Sequence, residues 1–174
     1  MNLVITLPQI KHLAQTGSSS EYFFFFMERK PNIIMDGFFT KISVSTSFFT
    51  MNGLFLTFGI REKHTDDVYT NDTVSSLQNG YDNKYYIYFD PYTIENRYTT
   101  ECVIQLEEII LKMYGNTIPS KTPVYSLKTQ LQGGTFKIHR EQSNEMQGKY
   151  ILKISGVWES AHSYGVTYKC TVYS

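Results

Sequence analysis

At 174 residues the chain has the length of one domain, enough to build a core without disulfide or metal staples. Its 16 basic and 16 acidic residues cancel, which excludes a global field that recruits nucleic acid or membrane, and 14 Tyr and 12 Phe lean towards strands. Cys102 and Cys170 are too few for a disulfide framework and lack zinc-site spacing, so both read as reduced, buried thiols of an intracellular protein.

Residues 1–20 form an N-terminal arm, with an apolar segment at 3–7 and a Gly-Ser-rich join at 15–20. It is expected to pack on something or to add a strand. Its start has no basic lead and is interrupted by Pro8, so no signal peptide is expected. The aromatic run at 22–27 suits a strand buried on both faces and is far too short to span a bilayer, which predicts a soluble protein that makes no membrane contact. Residues 21–174 read as a single domain. After Pro31-Asn32 and Asp36-Gly37, residues 38–46 alternate as a strand, with Phe39 and Lys41 on the face opposite Ile42 and Val44. Asn52-Gly53 signals a hairpin into residues 54–60, where Phe55 and Thr57, then Arg61, oppose Leu54, Leu56 and Phe58.

Residues 64–83 read as a long acidic loop, and residues 84–89 as a strand that sets Tyr86 and Tyr88 against Ile87 and Phe89. Val103, Leu106, Ile110 and Met113 recur at helical steps, which predicts a helix over 100–114. Residues 118–131, with Pro119 and Pro123, read as an irregular crossover with one short extended piece. Residues 135–140 are another strand, with Lys137 and His139 alternating with Phe136 and Ile138. The last 26 residues alternate twice around Glu159-Ser160-Ala161-His162-Ser163, which predicts a long hairpin with Trp158, the single Trp, as a core anchor beside its bend.

The four His fall in four separate elements, and neither a phosphate loop, a nucleophile elbow nor an HExxH pattern occurs. Glu107-Glu108 and Asp66-Asp67 are adjacent carboxylates, which point to different sides of an element, so both pairs read as solvated surface. No catalytic constellation is present. The chain is therefore expected to be non-enzymatic, with no cofactor and no metal.

One helix between the third and fourth of five strands suggests a mainly β fold, an OB-like five-stranded barrel with additional strands at 22–27 and 166–173. Ser155-Gly156-Val157-Trp158, a short polar gap, then Tyr164-Gly165-Val166-Thr167-Tyr168-Lys169 resembles the closing hairpin of single-stranded-DNA-binding proteins from large nucleocytoplasmic DNA viruses. That family shows a Gly-(Ile/Leu)-Trp, a short gap, then an aromatic-Gly-Val-Thr-aromatic-Lys, and is itself similar to a short-tailed phage counterpart. The resemblance implies sequence-independent binding of single-stranded DNA, in preference to RNA, during viral replication or recombination, in the host nucleus or cytoplasm. Those proteins commonly end in an acidic tail, whereas Thr171-Val172-Tyr173-Ser174 carries no acid.

Such binding needs aromatic faces for bases and cations along the phosphates. Phe39, Phe55, Tyr86 and Tyr88 are the candidate stacking residues, with Tyr168 from the hairpin motif. Lys41, Arg61, Lys153 and Lys169 are the candidate phosphate contacts. The basic balance of the C-terminal third agrees, with seven bases against three acids over residues 121–174. The alternative is a structural β-barrel component of a virion or other assembly, a homo-oligomer held through the arm and the aromatic strands.

Overall fold

Among the described residues the alternating segments pair into one mixed nine-stranded sheet, and two helices accompany it. A computed structural model describes residues 23–45, 48, 50–63, 84–139 and 149–172. The N-terminal arm, the acidic loop and residues 140–148 lie outside the described residues. In chain order the elements are β1 (Phe23–Pro31), β2 (Phe38–Ser45), β3 (Thr50–Asn52), β4 (Leu54–Gly59), β5 (Lys84–Tyr88) and α1 (Ile94–Gly115). They continue with β6 (Thr122–Val124), α2 (Ser126–Gln132), β7 (Thr135–His139), β8 (Lys149–Glu159) and β9 (Ser163–Val172). The fold is mainly β, as the composition implies.

The strand path runs β1-β2-β8-β9-β7-β5, with β3 on β2, β4 on β8 and β6 on β9. The organising strand is β8: one edge pairs with β9 along its length, and the other pairs first with β4 and then with β2. The ladders do not close this sheet on itself. An isolated antiparallel bridge joins Glu62 to Phe89, and Lys63 N donates to Tyr88 O at 2.9 Å.

Several expectations are corrected here. The aromatic run is not a doubly buried strand, because β1 ends the strand path and leaves Phe25 40% and Met27 45% exposed. Asn52-Gly53 is not the tip of a hairpin between 38–46 and 54–60. At Gly53 (φ 96°) the chain leaves its pairing with β2 and joins β8. Residues 166–173 are no peripheral addition, since β9 lies between β8 and β7. The helix starts at Ile94, six residues before the expected start, although Thr and Asn are poor helix formers. Asn96 supplies the missing stability: its Oδ1 accepts from Arg61 N at 2.7 Å, and its Nδ2 donates to the carbonyls of Arg61 and Asp90, both at 2.9 Å.

The crossover contains the short helix α2, whose start meets a carboxylate from α1. Glu107, expected on the surface, is fully buried and accepts from Leu127 N at 3.0 Å and Lys128 N at 2.8 Å. Burial pushes its carboxyl above the usual range against the pull of those amides. Inward side chains of the strands, among them Ile42, Leu56, Phe58, Phe136, Leu152 and Ile154, form one core with Val103, Leu106, Ile110 and Leu111 of α1 and with Leu127 and Leu131 of α2. Both cysteines are buried thiols.

A second buried carboxylate pins the end of the sheet. Glu159 accepts from Arg29 Nε at 2.7 Å, Tyr114 Oη at 2.6 Å and Lys121 Nζ at 2.8 Å, so one side chain ties β8 to β1, to α1 and to the segment after it. The Arg29 guanidinium also lies 3.2 Å over the Phe38 ring. Burial alone would raise the Glu159 carboxyl. The three donors outweigh it and hold the group at about 2. Burial and the neighbouring carboxylate push Tyr114 up to about 12, so it remains a proton donor.

Candidate nucleic-acid interface

The candidate site is the outer face of the sheet, and a single inserted residue decides what stands on it. Along β8, Tyr150, Leu152 and Ile154 point inward, but the register shifts between Ile154 and Gly156. A bulge of this kind reverses the alternation. Val157 and Glu159 become the inward residues, and Trp158 turns outward, half-buried. Trp158 is therefore not the core anchor that strict alternation predicted. Its indole lies across Gly165, where a Cβ would come within 2.8 Å of Cζ2. The ring of Phe39, which pairs with Trp158 across the ladder, lies in the same way over Gly156, where a Cβ would stand 2.6 Å from its Cζ. Two glycines thus let two aromatic rings lie flat on one face.

Further along β8, before the bulge, the same face carries a transverse row. Phe55 of β4 is opposite Lys153 of β8, and Lys153 is opposite Lys169 of β9. On the far side of β9, β7 runs parallel with His139 beside Thr171, which places Lys137 next to Lys169 two residues earlier on both strands. Lys137 in turn is opposite Tyr86 of β5. The row reads Phe55, Lys153, Lys169, Lys137, Tyr86, and at an inter-strand spacing of about 4.8 Å it spans roughly 19 Å. Lys153 Nζ sits 5.2 Å from the Phe55 ring centroid, while Tyr86 and Tyr88 are 56% and 58% exposed. Lys153 and Lys169 thus stand directly opposite one another on neighbouring strands.

The structure therefore brings Phe55, Lys153, Lys169 and Tyr86 into one row, with Tyr88 two residues along β5 opposite Thr135. Lys41 is exposed on the same face, opposite Gly156, between this row and the Phe39–Trp158 pair. Arg61 stands apart, in an ion pair with Glu95 at 2.8 Å. Tyr168 is on the other side of the sheet. Its ring stacks on Phe136 at 6.3 Å and its hydroxyl accepts from the Gln130 amide, so it does not share a face with Lys169.

Sequence reasoning missed Lys137 and Trp158. Lys137 was visible as an outward residue, but its place beside Lys169 depends on a parallel pairing between distant segments. Among the described residues, no group of three or more His, Cys, Asp or Glu is arranged to hold a metal, and no helix is long and apolar enough to cross a membrane. The chain matches no protein-family model, and neither a curated protein nor a solved structure is similar to it.

Proposed function

We propose that this chain binds single-stranded nucleic acid, DNA in preference to RNA, without catalysis, across the outer face of its sheet. The observation that carries the reading is the row of three lysines flanked by Phe55 and Tyr86, with Tyr88, Phe39 and Trp158 on the same face. Cations positioned beside exposed rings are what binding without sequence preference requires, since every base offers a face to stack and every nucleotide a phosphate. The preference for DNA and the setting in viral replication or recombination rest on the likeness of the closing hairpin to the viral family.

An OB-like architecture is supported by the neighbour relations β4-β8-β9-β7-β5, five strands whose ends are joined by the Glu62–Phe89 bridge. Among those five strands α1 follows the second in chain order and not the third, because residues 38–45 lie outside the set.

The test is fluorescence polarisation with a labelled oligo-dT and the matching duplex across a salt series. Tight, salt-sensitive binding to the single strand is expected, and Lys137→Gln, Lys153→Gln and Lys169→Gln should each reduce the salt slope by about 0.7. Trp158 emission should be quenched in the same titration. Absence of binding at low salt, or equal binding to the duplex, removes this reading. It would leave the structural-assembly alternative, which draws on the fully exposed Ile33 at the β1–β2 turn.

A further inference from the structure

The outer face of the sheet holds a second group of rings that stands apart from the lysine row. Paired positions across the ladders put Lys30 of β1, Phe39 of β2, Trp158 of β8, Gly165 of β9 and Val124 of β6 on one transverse line. This line crosses β9 at Gly165 and the lysine row crosses it at Lys169, four residues on, so the two run roughly 13 Å apart. Its one cation, Lys30, is paired with Glu28 at 3.5 Å, and what the line offers a ligand is chiefly the rings of Phe39 and Trp158.

Three glycines connect the two lines. Each lies under a side chain that runs along the sheet instead of standing up from it: Gly165 under Trp158, Gly156 under Phe39, and Gly53 under Lys153, where a Cβ would stand 3.2 Å from Cε. Gly53 N donates to Ile42 O at 2.8 Å, which sets this corner against β2 beside Lys41. The Lys153 ammonium is drawn to the β4 edge, 5.2 Å from the Phe55 ring centroid. The next cation along that edge of β8 is the exposed Lys41, opposite Gly156, with the Phe39 ring beside it. From the end of the row the order is therefore ring, cation, ring pair: Phe55, Lys41, then Phe39 with Trp158. The strands β2, β4, β8 and β9 hold one acid, Glu159, and it is buried in the core, so none of them repels a polyanion on this side.

We infer that Phe39 and Trp158 form a second subsite that stacks bases, and that a bound strand bends at Phe55, passes Lys41 and reaches this subsite along β8. The inference rests on the proposed nucleic-acid binding and adds the length of strand that the whole face takes. A strand of about four nucleotides, the lower limit for such faces, is enough for the lysine row alone, and several more are needed to reach Trp158. The two subsites also differ in what holds the ligand. The row acts on phosphates and is weakened by salt, whereas stacking on two rings is largely indifferent to it.

The experiment titrates the protein with oligo-dT of about four and of about twelve nucleotides across a salt series, read by polarisation and by the emission of Trp158, the single Trp. The long strand should bind more tightly and quench Trp158, and the short one should bind with little quenching. On the long strand Phe39→Leu should weaken binding about tenfold at an unchanged salt slope, while Lys41→Gln should lower that slope by about 0.7. Both effects should be smaller on the short strand. Circular dichroism checks the fold of the variants; if Phe39→Leu does not fold, the exposed Lys41 and the wild-type quenching decide. Equal quenching by both lengths, a long strand that binds without quenching, or a wild-type salt slope for Lys41→Gln on the long strand overturns the inference. Binding of neither length at low salt is a different result, which removes the nucleic-acid reading itself and this inference with it.

Discussion

Replacing Glu159 by Gln removes a carboxylate that is fully buried and accepts from Arg29, Tyr114 and Lys121. The native environment holds this group at about 2, against an ordinary 4.5, which corresponds to about 3 kcal/mol of stability at pH 7. Because the folded value is the depressed one, this contribution is complete above pH 4.5 and fades as pH falls towards 2. Less than half of it remains at pH 3. Loss of one partner of a buried pair typically costs about 3–5 kcal/mol, and the lower end applies because Arg29 is 42% exposed and regains water. Urea denaturation followed by circular dichroism should therefore place the midpoint of Glu159→Gln about 1.5 M below wild type at pH 7, for a slope near 2 kcal/mol per molar. At pH 3 the gap should shrink by about half or more. A pH 7 difference under about 1 kcal/mol, or a gap that does not change between the two pH values, would refute the assignment of Glu159 as an ionised anchor.

Gly165→Ala would force the Trp158 indole off the sheet, since the new methyl meets it at 2.8 Å; a loss of about 1–3 kcal/mol and a shifted Trp emission maximum are expected by urea melt and fluorescence. Glu107→Ala leaves the amides of Leu127 and Lys128 buried without an acceptor and should cost about 1–3 kcal/mol, whereas Glu107→Gln keeps one acceptor without burying a charge and should cost less. The Glu107 carboxyl is raised in the fold, so its ionisation opposes folding as pH rises, and the deficit of Glu107→Gln should be smaller at pH 7 than at pH 4. Thr100→Val should be neutral or stabilising by up to about 1 kcal/mol in a thermal melt, because the buried Thr100 hydroxyl has no hydrogen-bond partner among the described residues. Tyr86→Ala should weaken oligo-dT binding by about tenfold in the polarisation assay and leave the melting temperature nearly unchanged, as the ring is mostly in solvent.

Local alternation was enough to read the strands and to turn Phe55, Lys153, Lys169 and Tyr86 outward, because a two-residue period is a property of the segment itself. Tyr168 could have been removed by the same rule, since neighbours on a strand cannot share a face. Trp158 could not be placed that way: the bulge at Ser155 leaves no composition signal, and it exchanges the roles of Trp158 and Glu159. The first turns of α1 were illegible because Asn96 holds them through distant carbonyls, against local propensity. Glu107 looked like surface for a related reason, as its partners lie about 20 residues later and are backbone amides that no side-chain pattern reveals.

The position of β8 in the chain also sets when this fold can be completed. β4 finds its pairing edge only on residues 149–159, β2 completes its second edge there, and β7 joins the sheet through β9, at 163–172. During synthesis the first two-thirds of the protein therefore carries apolar strands whose permanent neighbour has not yet been made. Pairings so distant in sequence are slow to find, which predicts late, largely post-translational folding and an interval in which a chaperone would have most to hold. Once formed, β8 is hydrogen-bonded along both edges, and its amides should be the last in the molecule to exchange with deuterium.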